Sequence, residues 1–198
     1  TIGGNLCNAS PCGDTLAPLV VLSARFVLQS ARGEREVDAE SFFTGPKLTV
    51  REPDEVLREI RIPQEGLAGS SAFRMIGKRN GQVISQVNVA VWIRSAGDGS
   101  VEDIRVAAGS VAPVPLRMPG TERLLRGRGL SRELLDRAEA ELAREIRPIS
   151  DVRTTEAYRR RVTSALFREA LEEALGRDGS GARGGGKPGS TLKPGKGG

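Results

Sequence analysis

Apolar residues fall in short runs, and their period changes along the chain. Leu16, Leu19 and Val20 recur at helical spacing, which predicts a short helix over residues 15 to about 22 that Asp14 can cap. Arg25–Ser30 reads as a strand by its Phe-Val-Leu content. Residues 31–34 form a turn and 35–38 a short return strand, a hairpin signal. One helical turn is expected over residues 39–43, broken at Gly45-Pro46. Another turn starts at residues 53–57. Ile60 and Ile62 then alternate with Arg61 in a half-buried strand that stops at Pro63.

Residues 64–71 are small and polar and read as a linker. Three strands are expected beyond it, over 72–76, 83–93 and 101–107, with residues 96–100 as a hairpin loop. A short helix over 119–126 stops at Gly127. Ser131 can cap a helix in which Leu134, Ala138, Leu142 and Ile146 recur every four residues, ended by Pro148. The last helix, about 155–175, places Tyr158, Val162, Leu166, Ala170 and Ala174 inward, and Gly176 can close it. The order predicts an α+β chain with a boundary in the linker. Residues 177–198 are glycine-rich with almost nothing apolar and are expected to be disordered. No run approaches the roughly 18 apolar residues of a membrane span, and no secretory leader is expected.

Composition narrows the chemistry. The 198 residues can hold one medium domain or two small ones, and with 4% aromatic content the core must be mostly Leu, Val, Ile and Ala. The net charge of +5 sits mostly in the tail, where Arg177, Arg183, Lys187, Lys193 and Lys196 face Asp178 alone. The body is near neutral, which argues against a nucleic-acid footprint. There is no histidine, so Ser-His-Asp and Cys-His catalysis and His-ligated zinc are excluded. Cys7 and Cys12 cannot build a metal site alone and are expected to be free, partly buried thiols in a cytoplasmic protein.

Four stretches are candidates for chemistry. The opening Thr1-Ile2-Gly3-Gly4-Asn5, followed by Asn8, Ser10 and Asp14, suits the diphosphate and sugar of a nucleotide: adjacent glycines allow positive φ and close approach of backbone N–H groups to an anion. A glycine turn with an Asp helix cap accounts for the same spacing. Phe73–Arg79 places basic residues on a strand that could face an anion or simply guard an edge. Arg159-Arg160-Arg161 point in different directions on a helix and read as a solvated face or a subunit contact. Glu172 and Glu173 read as surface charges.

The residues resemble a known family. Thr1–Leu6, continuing through Asn8-Ala9-Ser10-Pro11 and Asp14, is similar to the second flavin-binding loop of the FAD-binding medium subunits of molybdenum hydroxylases, related to xanthine dehydrogenase and aerobic carbon monoxide dehydrogenase. The likeness continues in order through Phe42-Phe43-Thr44-Gly45-Pro46, Glu55-Val56-Leu57 and Ile60-Arg61-Ile62-Pro63. Ser71-Ala72-Phe73, Gly77, Arg79, Ile84-Ser85 and Val87–Ala90 follow, then the stretch 108–113, Pro148, Asp151, Arg153 and Tyr158-Arg159. Met75 stands where many bacterial relatives carry Lys.

The resemblance implies a fold and a role. Residues 1–66 would be the second FAD-binding subdomain of the vanillyl-alcohol-oxidase type. Residues 68–176 would be a three-stranded antiparallel sheet packed on a helical bundle, and 177–198 a basic tail. Electrons would pass from 2Fe–2S centres to FAD and on to an external acceptor, NAD or quinone-like. Molybdopterin and iron–sulfur would sit on large and small partner subunits. Thr1, Ile2, Gly3, Gly4 and Asn5 would contact the diphosphate, Asp14 a hydroxyl and Leu57 the flavin, with Arg74 its basic neighbour and Ser10 a weaker contact. The first FAD subdomain of the family lies upstream of Thr1, so residues 1–198 alone are expected to hold FAD weakly or not at all. A flavin-free subunit-interaction module is the alternative, and nucleic-acid binding through the tail a minor one.

Overall fold

The structure is a computed structural model that describes residues 1–77 and 84–181. Lys78, Arg79, the start of the expected 83–93 strand and residues 182–198 lie outside the described residues. In chain order the elements are α1 (Ile2–Asn8), α2 (Leu16–Val21), β1 (Arg25–Ser30), β2 (Gly33–Asp38), α3 (Ala39–Phe42), β3 (Phe43–Gly45), β4 (Leu48–Thr49) and β5 (Val56–Arg61). They continue with α4 (Gln64–Leu67), β6 (Ser70–Ile76), β7 (Val87–Ser95), β8 (Val101–Gly109), β9 (Leu116–Arg117), α5 (Pro119–Leu125), α6 (Arg132–Glu145) and α7 (Glu156–Gly181).

The first half is a β2-β1-β5 antiparallel sheet with short helices on one face. Phe26 and Leu28 of β1 are fully buried, and Phe26, Phe42 and Phe43 meet edge to face, with centroids 4.9 to 6.3 Å apart. Opposite charges on β2 and β5 pair across β1, Arg58 with Glu34 and Arg61 with Glu36. Such exposed pairs add little stability but keep an outer face charged.

The second half is built on the antiparallel sheet β6-β7-β8-β9. The two-residue strand β9, which pairs with Ala107 and Ala108, adds a fourth strand to the three expected. It is too short to leave a period in the sequence. Val87, Val89, Val91 and Ile93 enter the core shared with α5, α6 and α7, while Ala90 and Trp92 enter the core of the first half, with Leu16 and Phe26. Residues Val87 to Ile93 are therefore all buried, and the alternation of a half-buried strand is lost. Arg105 on β8 stacks over Trp92 at 4.2 Å and donates to Ser23 Oγ at 2.8 Å just past α2, bridging the two halves.

Helix ends follow local chemistry where local groups reach them. Ser131 Oγ accepts from Leu134 N at 3.2 Å and opens α6 as expected. The Glu145 carboxylate accepts from Gly120 N (2.7 Å) and Thr121 N (2.9 Å), capping α5 from a neighbouring helix.

Several expectations are corrected. The opening stretch is the first turn of a helix, α1, rather than a loop. Asp14 does not cap α2: its N-cap is Thr15, with no side-chain cap bond. The turn expected over 53–57 yields early, and Val56 and Leu57 already pair with β1. The linker carries α4, where a Cβ on Gly66 would fall 2.2 Å from the Leu22 carbonyl oxygen. The last helix runs through Gly176 to Gly181, so residues 177–181 are helical. Asp178, accepting from Ser95 N at 2.8 Å, and Arg177, donating to the Ser71 carbonyl at 2.9 Å, anchor that extension on the sheet and override the glycine.

Glu55 organises the approach to β5. Its buried carboxylate accepts from Arg35 Nε (2.6 Å) and Nη2 (2.8 Å) and from Glu52 N (2.7 Å). Those bonds hold it ionised and lower its pKa from the usual 4.5 to about 2. A depressed carboxylate pKa gives stability that is present above the unfolded value and lost as pH falls through the folded one. Urea midpoints should therefore drop between pH 4.5 and about 2. Glu55→Gln should be less stable than wild type at neutral pH and lose less across that window. An unchanged acid limb in the variant would contradict this role.

Candidate functional site

The opening turn is exposed and bare. Thr1 Oγ1 accepts from Gly4 N at 3.0 Å, and Asn5 N donates to the Thr1 carbonyl at 3.0 Å. Gly3 and Gly4 do not use positive φ; they serve by lacking a side chain. A Cβ at Gly3 would meet nothing within 4 Å, so its place is open space beside the first-turn N–H groups. Ile2 is half exposed beside them.

The same turn is tied to Asp14 through its neighbour. Thr15 Oγ1 donates to Asn5 Oδ1 at 2.6 Å. Gly13 packs so closely that a Cβ would lie 2.5 Å from the Leu16 side chain. Asp14 Oδ1 is buried and has no hydrogen-bond partner among the described residues, and burial raises the pKa of its carboxyl. A buried acceptor without a donor carries a desolvation cost that a ligand hydroxyl can offset. Leu57 is half-buried on β5, against which α1 packs. The helix α1 thus contacts β5 and, through the Asn5 bond, Thr15, the neighbour of Asp14.

Arg74 and Ser10 are placed elsewhere. Successive residues of β6 alternate, so Phe73 joins the core of the first half while Ala72 and Ile76 face the helices. Arg74 lies on the helix side, paired with Glu173 and, at 3.9 Å, with Glu169 of α7. Glu173, read as a surface charge, is a half-buried partner of Arg74 and Arg177. Phe73 and Met75 occupy the strand face opposite Arg74. Ser10 lines a separate cleft with Pro11 and Cys12. Both cysteines are free and half-buried.

That cleft is framed by strained backbone. Ala9, Lys47 and Ser110 have positive φ (44°, 62° and 65°) without being glycine. The contacts that hold them meet the same turn: Lys47 N donates to the Ala9 carbonyl (2.9 Å), and Ser110 N to the Pro11 carbonyl (2.7 Å). Arg159 sits at the base, 2% exposed, donating to the carbonyls of Gln86 and Ser110 at 2.8 Å each and to Asp151 at 2.9 Å. It is a buried tie, not part of a solvated face. On α7 Leu166, Ala170 and Ala174 are buried as expected, while at the helix start Arg159, Thr163 and Phe167 are buried where Tyr158 and Val162 are only partly so. The spacing of Phe167 from Arg159 was the available signal.

Comparison with known proteins places this geometry. The model of the FAD binding domain in molybdopterin dehydrogenase matches residues 1–65, and that of the CO dehydrogenase flavoprotein C-terminal domain matches residues 71–174. The chain is 33% identical to the glyceraldehyde dehydrogenase medium chain of Sulfolobus acidocaldarius, over 87% of this chain and 60% of that protein. It is 35% identical to the caffeine dehydrogenase subunit beta of a Pseudomonas species, over 89% of this chain and 60% of that protein. Among solved structures, carbon monoxide dehydrogenase from Hydrogenophaga pseudoflava superposes with a TM-score of 0.84 at 32% identity, covering 89% of this chain and 61% of that one. The chain thus spans about three fifths of the length of these relatives. With one family model on each half and the mixed helix-and-sheet fold between them, this chain belongs to the FAD-binding medium-subunit family of the molybdenum hydroxylases.

Proposed function

We propose that the chain is the second part of an FAD clamp in a molybdenum-dependent hydroxylase or dehydrogenase. Residues 1–66 belong to the FAD-binding part and 68–176 to the flavoprotein C-terminal part. When bound, FAD supplies the redox chemistry by which electrons from 2Fe–2S centres reach an external acceptor, NAD or quinone-like. Large molybdopterin and small iron–sulfur subunits are the partners, and the cytoplasm the compartment. Among the described residues no helix is long and apolar enough to cross a membrane. The named substrates of the relatives differ, glyceraldehyde in one and caffeine in another, which fits a substrate chosen on another subunit.

The observation that carries this function is the unpartnered buried oxygen of Asp14 beside the bare turn of α1. Thr1 to Asn5 face the cofactor diphosphate, Ile2 and Gly3 offering their backbone N–H groups because those of Gly4 and Asn5 already donate to Thr1; Asp14 accepts from a hydroxyl, and Leu57 packs near the flavin. Arg74, held by α7, is the weakest member of the set, and Phe73 and Met75 share its strand on the opposite face.

Asp14→Asn separates binding from folding. The raised pKa of Asp14 means that the ionised form is disfavoured in the fold; the stability linked to its proton is present at low pH and lost as pH rises through the folded value. At neutral pH the flavin-free variant should therefore melt higher than wild type. Its FAD affinity should fall about tenfold or more, the cost of a hydrogen bond to a charged acceptor. Thermal melts and calorimetric titration of FAD onto the subunit with its first FAD subdomain present check both; unchanged affinity would refute the assignment.

Gly3→Val tests the turn. Because the new Cβ meets nothing within 4 Å of the protein, flavin-free stability should be kept to within about 1 kcal/mol. In the holoenzyme, where the first FAD subdomain is present, the FAD retained on purification, read by flavin absorbance, should drop sharply. Full retention would place the diphosphate elsewhere.

A further inference from the structure

The cleft beside Ser10 holds about 530 Å³, the size of a small-molecule site. Of the residues assigned to FAD, only Ser10 lines it. Pro11, Pro46, Ala112, Pro113 and Ile149 make much of its wall apolar. Its charges are one-sided: Lys47, Arg147, Arg153 and Arg159 stand against Asp151 alone.

Asp151 is already committed. It accepts from Arg159 (2.9 Å) and from the backbone N–H of Arg153 (2.9 Å) and Thr154 (3.1 Å). Among the described residues Lys47 has no carboxylate partner, and the Arg147 guanidinium donates only to the carbonyls of Arg144 and Ile146. Arg159, 2% exposed at the base of the cleft, keeps its Nε without a hydrogen-bond partner. Uncancelled cations against an apolar wall attract an anion more strongly than the same cations in open water. The geometry points to a second binding site, separate from the FAD turn, for a small organic anion: a carboxylate or phosphate head carried on an apolar body. The apolar part would lie along the prolines and Ile149, and the head group would meet Lys47 and Arg147.

Calorimetric titration of the purified protein with benzoate, phenyl phosphate and benzyl alcohol tests this. At least one of the two anions should bind saturably, the tighter naming the head group, and benzyl alcohol should bind at least tenfold more weakly. Lys47→Gln with Arg147→Gln should weaken the anion at least tenfold. Lys47→Gln alone, which removes no ion pair or hydrogen bond of the ammonium with the described residues, should weaken it in the same direction at an unchanged melting midpoint. Equal binding of benzyl alcohol, unchanged binding in the variants, or no saturable binding of either anion would overturn the site. So would protection of Ile149 and Arg153 by a partner chain with no anion bound, since the cleft would then be a protein-docking face.

Discussion

Everything in this molecule is arranged around a strand that cannot face water on either side. Val87, Val89, Val91 and Ile93 need one apolar cover, and Ala90 and Trp92 need another. The helices α5, α6 and α7 supply the first; α2 and the aromatic cluster behind it supply the second. Burying a Trp or Ile side chain stabilises by roughly 1.5–3 kcal/mol, so neither cover can be removed without exposing several such residues. Each half therefore completes the core of the other. The Arg105 stack on Trp92, with its bond to Ser23, pins α2 to the sheet at the same place.

That constraint positions the proposed cofactor side. With α2 pressed on the sheet, Thr15 sits where its hydroxyl reaches Asn5, and the bare turn of α1 stands beside Asp14. The strained residues Ala9, Lys47 and Ser110 belong to the same arrangement. Their positive φ angles cost of order 1–3 kcal/mol each; Ala9 closes α1 by donating to the Leu6 carbonyl, Lys47 N donates to the Ala9 carbonyl, and Ser110 N donates to the Pro11 carbonyl across the junction.

Much of this was legible in the sequence, for local reasons. β1 spans the Arg25–Ser30 run that its composition marks, and Ser131 caps α6. The order of motifs identified the family, and with it the cofactor. What escaped was tertiary. Thr1 can cap a turn, but the helicity of two glycines depends on Leu6 being buried in the core behind it. Three adjacent arginines look alike until the helix face is fixed; then Arg159 is buried and Arg161 is not. Arg74 and Met75 differ by one position, and only pairing with β7 decides which of them faces α7. Gly176 would stop a free helix, but Asp178 finds a backbone donor on β7.

The first family segment covers one face of the β6-β7-β8-β9 sheet and the helices of the second cover the other, so both segments should fold as one unit. Differential scanning calorimetry measures this directly. A single transition, with a calorimetric enthalpy equal to the van't Hoff enthalpy, is the predicted result. Two separable transitions, one for each matched segment, would contradict it.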